Sequence, residues 1–146
     1  SKQVRVVPTK TMPQGIAALL GFNYQASLEE NYAAMVESSQ NVETLEITRA
    51  VRSVQVNGLD VNEGQFIGIW NDDLKAVADD PLAVVQAVLT QMDVSQYEIL
   101  TVYYGSDVTE QDAQTLCQAL RADYPQLEYE VLNGGQAFYH YIISIE

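Results

Sequence analysis

Cationic side chains are scarce in this sequence: seven Lys and Arg stand against twenty Asp and Glu in 146 residues, a net charge of −13. Binding nucleic acid needs clustered cations to neutralise phosphates, and an anionic membrane surface repels such a chain. Cysteine occurs once and histidine once, so there is neither an internal disulfide nor a pair of soft ligands for a metal. With no disulfide framework the cytoplasm is the default location. Long apolar runs are missing too. Those present, such as residues 16–22, 66–70 and 141–143, fall far short of the roughly 20 residues a spanning helix needs. No tripartite leader opens the chain and no glycine-rich phosphate loop follows a strand, so no self-contained nucleotide site is visible.

What is present suits one globular domain over residues 1–146. Apolar residues make up 47% of the chain and charged residues 18%, and a chain of this length buries about 68–70% of its unfolded surface. Ser1 stands where an initiator Met would, just before a strand-like Val4-Arg5-Val6-Val7, so the chain is expected to be a fragment of a longer protein. The acidity is uneven: residues 1–52 balance five cations with five acids, whereas residues 53–146 set Lys75 and Arg121 against fifteen acids. An acidic surface formed by Asp60, Glu63, Asp79, Asp107, Glu110, Asp112, Glu128 and Glu130 is expected to confer solubility or to steer a basic partner.

The element pattern is mixed. Val4–Val7 reads as a strand closed by Pro8, Pro13 opens a helix to Leu20, and Ser27-Leu28-Glu29-Glu30 is a capping box for a helix carrying Leu28, Tyr32 and Met35 at helical spacing. The β-branched stretch Thr44–Gln55 is expected to pair with Leu59–Val61 across Asn57-Gly58, and Phe66–Trp70 with Leu74–Val77 across Asn71-Asp72. Asp80-Pro81 caps a helix with Leu82, Val85, Val88, Leu89 and Met92 on one face. Strand Ile99–Tyr103, a helix from Thr109 to Pro125 and strand Leu127–Leu132 suggest a parallel crossover, with Tyr139–Ile145 returning antiparallel. The fold class is therefore α/β (α+β): two layers, a mixed sheet with helices packed against it.

Chemistry-bearing residues are few. Cys117 lies on an apolar helical stripe and reads as a buried small hydrophobe, and His140, between two tyrosines, as a structural residue. Asp72-Asp73 and Asp79-Asp80 occupy turn and cap positions. The most specific local feature is Thr9-Lys10-Thr11 ahead of Gln14 and Gly15, where hydroxyls, a cation and backbone N–H groups at a helix start could hold a carboxylate or phosphate. The alternative is plain helix capping. Seven of nine tyrosines lie from Tyr97 onward, and exposed ones suit a protein interface.

Taken in order, Val7-Pro8-Thr9-Lys10-Thr11-x-Pro13-Gln14-Gly15, Leu28-Glu29-Glu30-Asn31, Ala50-Val51-Arg52, Tyr103-Tyr104-Gly105-x-Asp107-Val108-Thr109, Gly134-Gly135-Gln136 and Tyr139-x-Tyr141-Ile142-Ile143-Ser144 resemble the C-terminal domain of the dihydroxyacetone-kinase-like family that includes the bacterial fatty acid kinase catalytic subunit. The resemblance covers essentially the whole chain. It implies a DegV-like or dihydroxyacetone-kinase-like fold, ATP and Mg²⁺ held in an upstream domain, no cofactor or catalytic residue here, and a DegV-like fatty-acid-binding protein as partner. The same resemblance makes Arg52, Tyr104, Asp107, Gln136, Tyr139 and Tyr141 the candidate partner-binding residues. In such proteins a proline is common where this chain has His140, which argues against a catalytic role for that histidine.

Overall fold

Every helix begins where a short polar side chain caps it. The computed structural model describes residues 1–146, which divide into two compact units, Ser1–Thr44 and Leu45–Glu146.

In the first unit, α1 (Met12–Leu20) starts at Thr11, whose hydroxyl accepts from the Gln14 N–H while the Gln14 side chain accepts from the Thr11 N–H. Ser27 and Glu30 make the same reciprocal pair for α2 (Leu28–Gln40). The connection between these helices is held by Asn31: its side-chain oxygen accepts from Asn23 N at 2.7 Å and its amide donates to Asn23 O at 2.9 Å and Ala26 O at 3.2 Å. Of the apolar residues at helical spacing, Tyr32 and Met35 are half-buried. Asn31 and Ser39 are the buried residues of α2, and Leu28 is exposed. Val4–Val7 is not a strand either. Val4 and Val6 face water and no neighbouring strand pairs with them, because β-propensity expresses a fit to a sheet surface rather than a backbone preference. Arg5 forms a salt bridge with Glu29 instead.

The second unit is built on a six-stranded mixed sheet. Its strands are β1 (Glu43–Arg49), β4 (Phe66–Trp70), β5 (Asp73–Ala78), β6 (Ile99–Tyr104), β7 (Glu128–Asn133) and β8 (Tyr141–Ile145), in the spatial order β5-β4-β1-β8-β6-β7. Between β1 and β4 in sequence, β2 (Val54–Val56) and β3 (Leu59–Val61) form a separate two-stranded hairpin. The expected strand Thr44–Gln55 is thus two strands. The break falls at Ala50–Ser53, where Ala50 N bonds Gln65 O and Gly64 N bonds Ala50 O, so only the second part enters the Asn57-Gly58 hairpin. Asn57 and Gly58 both take positive φ, as do Asn71 and Asp72 in the β4–β5 turn; these are the left-handed pairs that match the twist of a tight hairpin.

Helices α3 (Pro81–Leu89) and α4 (Glu110–Asp123) cover one face. α3 packs on β4 and β5, and α4 on β6, β7 and α3. Between sheet and helices lie Leu45, Ile47, Val84, Val85, Val88, Leu100, Val102, Leu116, Leu120, Ile143 and Ile145, all buried. Cys117 is buried beside them. The crossover from β6 through α4 to β7 is parallel, and β8 returns antiparallel against β6 as the sequence suggests. β8 begins at Tyr141 rather than Tyr139, because the chain turns at Phe138, which has a positive φ, and Tyr139 N folds back to Ala137 O.

Candidate functional site

Strand alternation decides what the face away from α3 and α4 offers. Ile47 and Gly68 pair on the helix side, so their neighbours Glu46, Thr48, Ile67, Ile69 and Leu74 point the other way. The β2–β3 hairpin stands beside that face and leaves a cavity of about 690 Å³ lined by Val54, Val56 and Val61 on one side and by Ile67, Ile69 and Leu74 on the other. Arg52, Asp72, Phe138, Tyr139 and His140 are among the other residues that line it. Size and apolar character match a site for a small ligand or an inserted side chain.

The segment Gly134–His140 is pinned from both sides. Gly105 N donates to His140 O and Ser106 N to Gln136 O, each at 2.9 Å, while Tyr104 O accepts from Gly134 N and Gly135 N. Gly105 has to be glycine: a Cβ there would sit 2.3 Å from Tyr139 O and 2.8 Å from Gln136 O. His140 N donates to Ile47 O at 2.9 Å, and the Thr48 hydroxyl donates to Phe138 O. The result is Phe138 held at φ 68° with its side chain 85% exposed. A bulky residue in the left-handed region is strained, and such strain collects at working surfaces.

Where β1 ends beside the start of β4, Arg49 lies over the ring of the core residue Phe66 at 4.5 Å and His140 meets the same ring edge-on at 5.3 Å. Burial, and next the Arg49 charge, push the His140 pKa down, while Asp107 opposes them. The His140 Nδ1 is buried with no hydrogen-bond partner. Glu46 has its pKa raised, first by burial and then by Asp72, with a hydrogen bond from Tyr139 acting the other way; burial and Glu46 raise Tyr139 in turn.

Of the residues that the sequence motifs single out, Arg52 and Tyr139 line this cavity. Gln136 belongs to the pinned segment beside it, with its Nε2 donating to Tyr103 O at 2.9 Å; Tyr104 ends the strand that the segment is pinned to, and Asp107 follows it, exposed within reach of the His140 charge. Tyr141 lies in the core. Thr9, Lys10, Thr11, Gln14 and Gly15 are in the first unit, in the geometry of a cap: the Gln14 side-chain oxygen accepts from Lys10 N at 2.8 Å and Thr11 N at 3.3 Å, and Thr11 Oγ1 lies 2.9 Å from Thr44 Oγ1. Arg49, Glu46 and Phe138 belong to no motif, so nothing in the sequence marks them for this site. Only the valines beside Asn57-Gly58 hint at the cavity's second wall. The eight acidic residues are all exposed but occupy opposite edges of the sheet, Asp60 and Glu63 near β3 and Glu128 and Glu130 on β7, with the others at the starts of α3 and α4. They form no single face. No three His, Cys, Asp or Glu side chains gather as a metal-ligating group, and no helix is long and apolar enough to cross a membrane.

This mixed sheet with its helices is a fatty-acid-kinase type of α+β fold: it is similar to the crystal structure of the Streptococcus pneumoniae fatty acid kinase (Fak) B3 protein loaded with linoleic acid, with a TM-score of 0.54 and 18% identity over 83% of this chain and 50% of that one. At that identity the likeness shows the fold alone. The chain belongs to the FakA-like C-terminal family of the fatty acid kinases, whose model matches residues 1–146. It is 37% identical to protein YloV of Bacillus subtilis over 99% of its own length, and 37% identical to an uncharacterized protein of Staphylococcus aureus (strain USA300) over 97%. In both cases it spans 26% of the relative, about a quarter of its length.

Proposed function

We propose that this domain docks the DegV-like fatty-acid-binding partner of a fatty acid kinase and holds it while the bound acyl carboxylate is phosphorylated by ATP bound elsewhere in the kinase. The observation that carries this reading is the rim of the cavity in the second unit. Val51 is 86% and Phe138 85% exposed, with Val54 and Val56 also facing water near the exposed Arg52. Several large apolar side chains held in water around an exposed arginine have the composition of an interface centre. Family membership supports the choice of partner, and Arg52 and Tyr139 fall on the rim. Docking of this kind contributes by proximity and orientation rather than by a covalent step.

Calorimetry of the folded domain with a DegV-like fatty-acid-binding protein tests the idea. Tight binding is expected at low salt, with Val51→Asp weakening it by about 30-fold, the scale of an interface hot spot. Absence of binding at low salt, with the domain folded by circular dichroism, overturns it.

A further inference from the structure

The six-stranded sheet ends on β7, which pairs with β6 and with no other strand. Parallel pairing turns the backbone groups of alternate residues toward the neighbour. Glu128 N donates to Glu98 O and Gly134 N to Tyr104 O, which fixes the phase: Glu128, Glu130 and Leu132 bond inward. Tyr129, Val131 and Asn133 therefore aim their N–H and C=O groups at the open edge, where no strand meets them. Such a row is a template for one more strand.

Side chains say what that strand would carry. On the helix side, Tyr129 and Val131 share a groove of about 380 Å³ with Gln114, Cys117, Gln118 and Arg121 of α4, which leaves room for small polar side chains. Arg121 lies over the Tyr129 ring at 5.1 Å and disfavours a second cation there. Strand alternation puts Glu128 and Glu130 on the other face, where both are exposed and neither enters a salt bridge. β7 has no cation of its own. Two carboxylates at i and i+2 select an incoming strand with cations in the same alternation, since opposite charges facing each other across strands attract. Like charges repel, and this excludes the β7 of a second copy: antiparallel pairing about Tyr129 would set Glu128 against Glu130.

We infer that β7 accepts an extended segment of a basic protein as an added, antiparallel strand, with lysine or arginine at alternate positions beside Glu128 and Glu130 and small polar residues facing the α4 groove. In strand addition of this kind main-chain hydrogen bonds give the affinity and alternate side chains the specificity. The surface assigned to docking lies beside β4 and β5, at the other end of the sheet, so either reading can fail while the other stands.

The test titrates the 146-residue chain with a capped heptapeptide of alternating threonine and lysine, by calorimetry and by amide hydrogen exchange. Saturable one-to-one binding is expected. At saturation the Tyr129 and Val131 amides gain acceptors and should exchange roughly tenfold more slowly, while the Leu132 amide, already bonded to β6, should change far less. Replacing the lysines by glutamates should abolish binding. Proline at an inner threonine, which removes a ladder donor, should weaken it roughly tenfold. Glu128→Gln combined with Glu130→Gln should weaken the peptide about fivefold, the effect of two cross-strand charge pairs. Asp73→Asn, on the far edge strand β5, should change nothing. Absence of binding overturns the inference, as does unaltered exchange at Tyr129 and Val131 under saturating peptide, equal affinity for the proline peptide, or unaltered affinity in the double variant. A dimer of the free chain in sedimentation, with those same amides protected, also overturns it, because the edge then belongs to a second copy.

Discussion

Phe138 should be a residue whose removal makes the domain more stable and less able to bind. Its backbone is held at φ 68°, where a non-glycine residue stores about 1–3 kcal/mol of strain. Its ring contributes little packing, being 85% exposed. Phe138→Gly releases the strain but loosens the unfolded chain by roughly 0.5–1 kcal/mol. The Thr48 hydroxyl bonds the carbonyl at this position, so that contact survives the change. The net expectation is a gain of about 1 kcal/mol, or a rise in melting temperature of about 2–4 °C for a chain of this size. Phe138→Ala keeps the strained backbone and removes the ring, so its stability should stay within about 0.5 kcal/mol of the parent. Both variants should bind the fatty-acid-binding partner at least tenfold more weakly if the ring is an interface anchor, on the scale of hot-spot residues. Thermal melts and calorimetry on the three proteins decide it. A lower melting temperature for Phe138→Gly would refute the strain argument, and parental affinity in both variants would refute the role of the ring.

Gly68 lets α3 approach the sheet, for a Cβ there would lie 2.6 Å from Val84 Cγ1. Gly68→Ala should therefore cost about 1–3 kcal/mol by urea unfolding, and pairing it with Val84→Ala should recover part of the loss; strictly additive costs would contradict this account. Burial pushes the Cys117 thiol up to about 11, with Arg121 opposing weakly. The thiol should thus resist a disulfide reagent at pH 8 in the folded chain and react fully in denaturant. Glu30 and Asp112, which cap α2 and α4, have lowered pKa values from backbone and hydroxyl hydrogen bonds at Ser27 and Thr109. Their stabilisation is complete above the ordinary carboxylate range and fades as pH falls through the lowered values, so Asp112→Asn should flatten the acid limb of a stability–pH curve. Glu46 runs the opposite way. Its folded pKa is raised, the folded state binds the proton more tightly, and stability declines as pH climbs from the ordinary value to the raised one. Glu46→Gln should remove that decline.

Local rules made much of the fold legible. The pairs Thr11/Gln14, Ser27/Glu30 and Thr109/Asp112 cap their helices because an oxygen three residues from an unbonded N–H needs nothing from the rest of the chain. Asn57-Gly58 and Asn71-Asp72 turn the hairpins for an equally local reason, since their residues tolerate positive φ. The stripe Ala113, Leu116, Cys117 and Leu120 announced its own burial by its period. The ordered motifs along the chain likewise pointed to the family that its full length matches.

Tertiary structure alone decided the rest. Val4–Val7 has strand composition but finds no neighbour, and Thr44–Gln55 divides because Ala50 bonds to Gly64 and Gln65, partners far along the chain. The left-handed Phe138 has no signature at all: it follows from the closure of Gly134–His140 over Gly105, against Tyr104 and Ile47. Val54, Val56 and Val61 look unremarkable in sequence and become one wall of a cavity only when the β2–β3 hairpin stands beside β4 and β5. Caps, turns and helical stripes are short-range interactions that a few neighbouring residues specify. A cavity is the space left between elements distant in sequence, so its shape and charge exist only once the sheet has been assembled.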